Sequence, residues 1–104
     1  MNEVEKMYEN AGIKKDWNST PYGGIEEYYP PFTAEKQLEL IKFLLDKYCD
    51  IRIRKNLEGD YYIKSFNDIS CFSEDFKETL ASFTNTHLQD LTEEERKQIK
   101  EILE

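Results

Sequence analysis

The sequence holds 104 residues, room for one domain of ordinary size and too few for a multi-domain enzyme. Asp and Glu number 22 against 14 Lys and Arg, and the resulting charge of −8 argues against a protein whose main task is gripping nucleic-acid phosphates. Apolar residues make up only 38%, but one Trp, seven Tyr and six Phe supply large rings for a small core.

At the N-terminus, Asn2 is a candidate N-cap with Glu5 three residues on, and Gly12 offers a left-handed stop. A short helix over Asn2 to Ala11 follows, with Val4, Met7 and Tyr8 on one face. The stretch Met1 to Asn10 carries Glu3, Glu5 and Glu9 and has no apolar core of a signal peptide, so the expected location is the cytoplasm. From residue 13 to 33 periodicity disappears among Pro21, Gly23, Gly24, Pro30 and Pro31. This reads as one long aromatic-rich loop, ordered rather than flexible, because Trp17, Tyr28 and Phe32 are expected to pack against the apolar stripe of the next helix.

That helix starts at Ala34, capped by Thr33, and Leu38, Ile41, Leu45 and Tyr48 recur at spacings of three and four with Leu44 beside them. After Cys49 the period becomes two. Ile51 and Ile53 alternate with Arg52 and Arg54, the residues Asn56, Glu58, Gly59 and Asp60 provide a turn, and Tyr61 to Phe66 returns as the second strand of a β-hairpin. Ser73 is read as the cap of a third helix, with Glu74 and Asp75 in its first turn and Phe76, Leu80, Phe83 and His87 on its buried side. Thr92 and Glu95 form a T-x-x-E capping box for a last helix ending at Leu103. The expected fold is a small single α+β domain in the order α-α-β-β-α-α, one antiparallel hairpin packed on helices.

Chemistry-bearing motifs are missing. Cys49, Cys71 and His87 are isolated along the chain, without the close ligand pair of a structural zinc site, so the cysteines read as small core or surface thiols and His87 as a core histidine. No phosphate-cradling glycine loop, nucleophile elbow or H-E-x-x-H run occurs, and neither catalytic residues nor a cofactor are expected. Two surfaces remain. The first is acidic: Asp68, Glu74, Asp75, Glu78, Asp90, Glu93, Glu94 and Glu95 gather near two helix starts, and on one face they would imitate a nucleic-acid backbone and compete for a basic groove of another protein. The second is basic: Arg52, Arg54, Lys55, Tyr62 and Lys64 on the hairpin combine cations with a ring, as single-stranded nucleic-acid sites do. Residues 34–57 carry a net +2 and residues 58–91 a net −5.

The runs Tyr29-Pro-Pro-Phe-Thr-Ala-Glu-Lys-Gln-Leu-Glu-Leu-Ile-Lys42 and Asp90-Leu-Thr-Glu-Glu-Glu-Arg-Lys-Gln-Ile-Lys100, and more loosely Glu5 to Gly12, resemble small uncharacterised proteins of phages and prophages in Gram-positive gut bacteria. No catalytic residue comes with that resemblance. It implies a phage-encoded protein that binds a host protein, in the manner of anti-CRISPR inhibitors acting on a CRISPR nuclease or another nucleic-acid-processing enzyme.

Overall fold

A computed structural model describes residues 2–65 and 71–104. The chain runs α1 (Glu3–Asn10), β1 (Asp16–Ser19), β2 (Ile25–Tyr28), α2 (Ala34–Tyr48), β3 (Ile51–Lys55), β4 (Tyr61–Ser65), β5 (Cys71–Ser73), α3 (Phe76–His87), a 3-10 turn at Leu88–Asp90, and α4 (Glu93–Leu103). The α+β class is as expected, but the order differs from α-α-β-β-α-α. A hairpin, β1–β2, stands inside the stretch read as one loop, and β5 adds a third strand to the sheet β3-β4-β5. Phe66, expected to end the return strand, lies outside the described residues.

Helix ends follow local chemistry closely. Asn2 accepts the Glu5 N–H at 2.8 Å. At the other end of α1, Gly12 takes φ +81°, and the Gly12 and Ile13 N–H groups each donate at 3.0 Å to the Glu9 and Tyr8 carbonyls. This doubly bonded stop places Ile13 back over Tyr8, and both are buried. Thr33 caps α2 by accepting the Lys36 N–H, and Thr92 and Glu95 form both bonds of their capping box. The third helix is capped by Asp75, which accepts from Lys77 N–H, and not by Ser73. Ser73 instead accepts the Asp75 N–H one step earlier, so Glu74 and Asp75 precede the helix rather than fill its first turn.

Cys49 ends α2 with φ +63°, a left-handed conformation that costs a side-chain-bearing residue about 1–2 kcal/mol. Cys49→Gly is expected to raise stability by about 1 kcal/mol, seen as a melting temperature several degrees higher. An unchanged or lower melting temperature would contradict a strained cap.

One core joins the helices to the sheet. Met7, Tyr8, Ile13, Phe32, Leu40, Leu44, Ile63, Leu80, Phe83, Leu88, Leu91, Ile99 and Leu103 are buried together. On α2 the buried stripe is Leu40 and Leu44, flanked by Ile41, Phe43 and Tyr48. The expected Leu38 and Leu45 fall outside it, 52% and 40% exposed, because the face turned to α4 runs one position off the pattern read from the sequence. Helices α2 and α4 lie antiparallel. Lys36 Nζ donates to the Leu103 carbonyl at 2.9 Å at one end, and Lys47 pairs with Glu95 at 2.9 Å at the other. Polar clamps tie α1 to α3: the Glu3 N–H donates to Glu78 Oε2 at 2.8 Å, and Asn85 Nδ2 donates to the Glu3 carbonyl at 3.0 Å.

His87 is buried, its ring 4.4 Å from Phe83 and 4.6 Å from Tyr48, which is the core role its place on the apolar side of α3 implied. Within the 13–33 stretch the rings divide. Phe32 is buried and Tyr29 half-buried, but Trp17 and Tyr28 do not pack on α2 as expected and are exposed instead.

Candidate functional site

The β1–β2 hairpin is paired in the register Asp16↔Tyr28, Trp17↔Glu27, Asn18↔Glu26, Ser19↔Ile25. Its turn explains why it forms. Thr20 and Gly24 close the loop through Thr20 N–H to Gly24 O at 2.8 Å, Gly23 donates to the Thr20 carbonyl at 3.1 Å, and Gly23 takes φ +82°. Pro21 supplies the fixed φ such a turn wants at its second position. The β3–β4 turn is built alike, with Gly59 donating to the Asn56 carbonyl and carrying φ +96°.

All eight residues of β1 and β2 are exposed. Trp17 is 61%, Tyr22 98% and Ile25 71% accessible. The radius of gyration, 14.9 Å, exceeds the ~13 Å of a compact chain of this length. Apolar side chains held in water on a structured element mark interaction surfaces, and Trp and Tyr are the side chains that most often anchor protein interfaces. Asp16, Glu26 and Glu27 lie among them, and no Lys or Arg occurs between residues 16 and 28.

At the root of the hairpin a cleft of ≈ 360 Å³ is lined by Glu5, Tyr8, Lys15, Glu27, Tyr28 and Tyr29, among others. Tyr8 and Tyr29 stack at 5.2 Å with their planes 11° apart, and Lys15 Nζ sits 5.3 Å from the Tyr29 ring centre. The Tyr8 hydroxyl is buried and has no hydrogen-bond partner among the described residues. Burial pushes its pKa up to about 12, so it is a neutral hydroxyl at physiological pH.

The described acidic residues singled out from the sequence fall into two groups along the chain. Asp68 lies outside the described residues. Glu74, Asp75 and Glu78 stand at the start of α3, whereas Asp90, Glu93, Glu94 and Glu95 follow its end, so ~18 Å of helix separates the two groups. Asp75 is spent on a cap, Glu78 on the Glu3 N–H, and Glu95 on the capping box and Lys47.

The Thr92 backbone N–H, with Lys47 beside it, holds the Glu95 carboxyl below the ordinary 4.5. A lowered folded-state pKa stabilises the fold above the ordinary glutamate value, and the contribution is lost as pH falls through the folded value. Glu95→Gln is therefore expected to lower the urea midpoint at neutral pH and to converge with the parent in acid. Equal midpoints at neutral pH would contradict this role.

The basic residues are brought together better. Register pairs Arg52 with Lys64 and Arg54 with Tyr62, so these four share the outer face of the sheet, opposite the face that carries Ile63. Like charges directly across strands repel, and Arg52, Arg54 and Lys64 make no ion pair among the described residues. Lys55 departs from this group. It pairs with Tyr61 on the other face, its Nζ 5.2 Å from that ring, although it joins Arg54 and Tyr62 in lining an open groove of ≈ 640 Å³ at the hairpin tip.

Among the described residues no three His, Cys, Asp or Glu side chains are placed to hold a metal ion, and no helix is long and apolar enough to cross a membrane. Cys49 is exposed. The chain matches no family model, no curated protein and no solved structure.

Sequence reasoning missed Trp17, Tyr22 and Ile25 as a surface set, having taken the rings of this stretch as anchors. The signal that could have found them is the Thr20-Pro21-Tyr22-Gly23-Gly24 turn, whose spacing is that of a hairpin.

Proposed function

We propose that this chain is a non-enzymatic protein-interaction module that docks through the β1–β2 hairpin onto a basic surface of another protein. The observation that carries this reading is the exposure of Trp17, Tyr22 and Ile25 on a hairpin that includes Asp16, Glu26 and Glu27 and no basic residue. A net charge of −8 steers such a molecule toward a basic partner and away from nucleic acid. With the resemblance to small phage proteins, the proposed biological role is a phage-encoded inhibitor that occupies the nucleic-acid groove of a host enzyme, a CRISPR nuclease being the leading example. Affinity capture from a host lysate tests it. The intact chain should retain a basic nucleic-acid-binding protein and block its cleavage activity in vitro, and the triple variant Trp17→Ala, Tyr22→Ala, Ile25→Ala should do neither. Equal capture and inhibition by both proteins would overturn the hairpin as the docking element.

A second reading rests on the common face of Arg52, Arg54, Tyr62 and Lys64, which suits a short stretch of single-stranded nucleic acid as an accessory binder. Binding through so few cations on an acidic molecule should be weak and fall with salt. A gel shift of single-stranded DNA or RNA at low salt, lost in Arg52→Ala with Arg54→Ala, would favour it. The absence of any shift would end it.

A further inference from the structure

We propose that the cleft at the root of the β1–β2 hairpin is a receptor for one arginine side chain of the partner protein. This deepens the hairpin-docking reading and rests on it, because the cleft adjoins the exposed strands through Glu27 and Tyr28. Three features of the cleft define the ligand. Its wall is aromatic: Tyr29 is stacked on Tyr8, and Tyr28 lines the same space. Its charge is complementary to a cation, since Glu5 and Glu27 both line it. An internal cation already uses it, Lys15 lying 5.3 Å over the Tyr29 ring, so the wall accepts an ammonium group in this fold.

Arginine suits this set better than lysine, because its planar guanidinium stacks on a ring while its five N–H groups reach the carboxylates. The volume, ≈ 360 Å³, lies at the small end of ligand sites, as befits one side chain. Lys15 is then an internal competitor that the arginine displaces.

The test is a titration of the isotope-labelled full chain with N-acetyl-arginine amide, followed by amide NMR shifts. Saturable shifts are expected at Glu5, Lys15, Glu27 and Tyr29, with the neutral isostere N-acetyl-citrulline amide giving none. Lys15→Ala should bind the arginine probe about two- to fivefold more tightly, the weight of one exposed cation–π contact. Lys14→Ala makes the same change of charge outside the cleft and should show a smaller gain. Glu27→Gln should weaken binding, and the dispersion of each spectrum confirms that each variant is folded. No saturable shift at these residues, equal response to citrulline or to N-acetyl-lysine amide, or no greater gain for Lys15→Ala than for Lys14→Ala would overturn the proposal. Capture of a basic protein that still depends on Trp17, Tyr22 and Ile25 would, in that event, leave the hairpin surface standing without the arginine receptor.

Discussion

Phe32→Ala is expected to lower the free energy of unfolding by about 3–5 kcal/mol, the range for truncating a buried aromatic side chain. Phe32 is 5% exposed and meets Tyr8 edge-on at 6.3 Å, closing the layer in which Tyr8 and Tyr29 stack. Its carbonyl accepts from Gln37 Nε2 at 2.9 Å, a bond that survives truncation, so the loss is one of packing. For a domain whose whole stability is about 5–15 kcal/mol, this is a large share. Trp17→Ala, made in the same stretch, should change stability by about 0.5 kcal/mol or less, as surface substitutions do. Thermal melts of the two variants side by side check the division of rings between core and surface. A loss for Trp17→Ala as large as that for Phe32→Ala would contradict it.

Phe83→Ala should have an effect of similar size, about 3–5 kcal/mol, for a different reason. Phe83 is fully buried at the centre of α3, the helix that packs on α1, β4 and β5 alike. Truncation removes one wall of the His87 site, the ring 4.4 Å away, and opens a void where helices and sheet meet. The urea midpoint should fall with the slope of the transition unchanged, and helical and aromatic circular-dichroism signals should be lost together. A loss under about 1 kcal/mol, or separate transitions for the two signals, would mean that helices and sheet do not share one core.

Most of the regular structure was legible wherever one face of an element is buried. The caps at Asn2, Thr33 and Thr92 and the glycine stop at Gly12 act as their residue types dictate. The alternation through Ile51 to Arg54 marks a strand, whose apolar face pairs Ile53 with the buried Ile63 although Ile53 itself, at the edge of the sheet, is 43% exposed. The hairpin at Asp16–Ser19 and Ile25–Tyr28 escaped detection for the converse reason. Neither of its faces is buried, so rings and acids occur on both, and no period-two apolar pattern exists to be read. The same absence of burial makes it a candidate binding surface.

The candidate site was legible only in part. Alternation placed Arg52, Arg54, Tyr62 and Lys64 on one face, as the strand register has them, but Lys55 is one step off that parity and turns to the Tyr61 face. The acidic residues gather near two helix starts in the sequence, and the length of α3 lies between those two groups. The aromatic cleft could not be read at all, since it brings Tyr8 of α1 to Tyr28 and Tyr29 across twenty residues of chain with no shared motif.

The projection of the β1–β2 hairpin is read most directly through Trp17, the single tryptophan of the chain. At 61% exposure, its fluorescence in the folded protein should be red-shifted and quenched by acrylamide nearly as readily as in the urea-unfolded chain. A blue-shifted emission shielded from acrylamide in the folded protein, recovering only on unfolding, would contradict a hairpin that stands clear of the core.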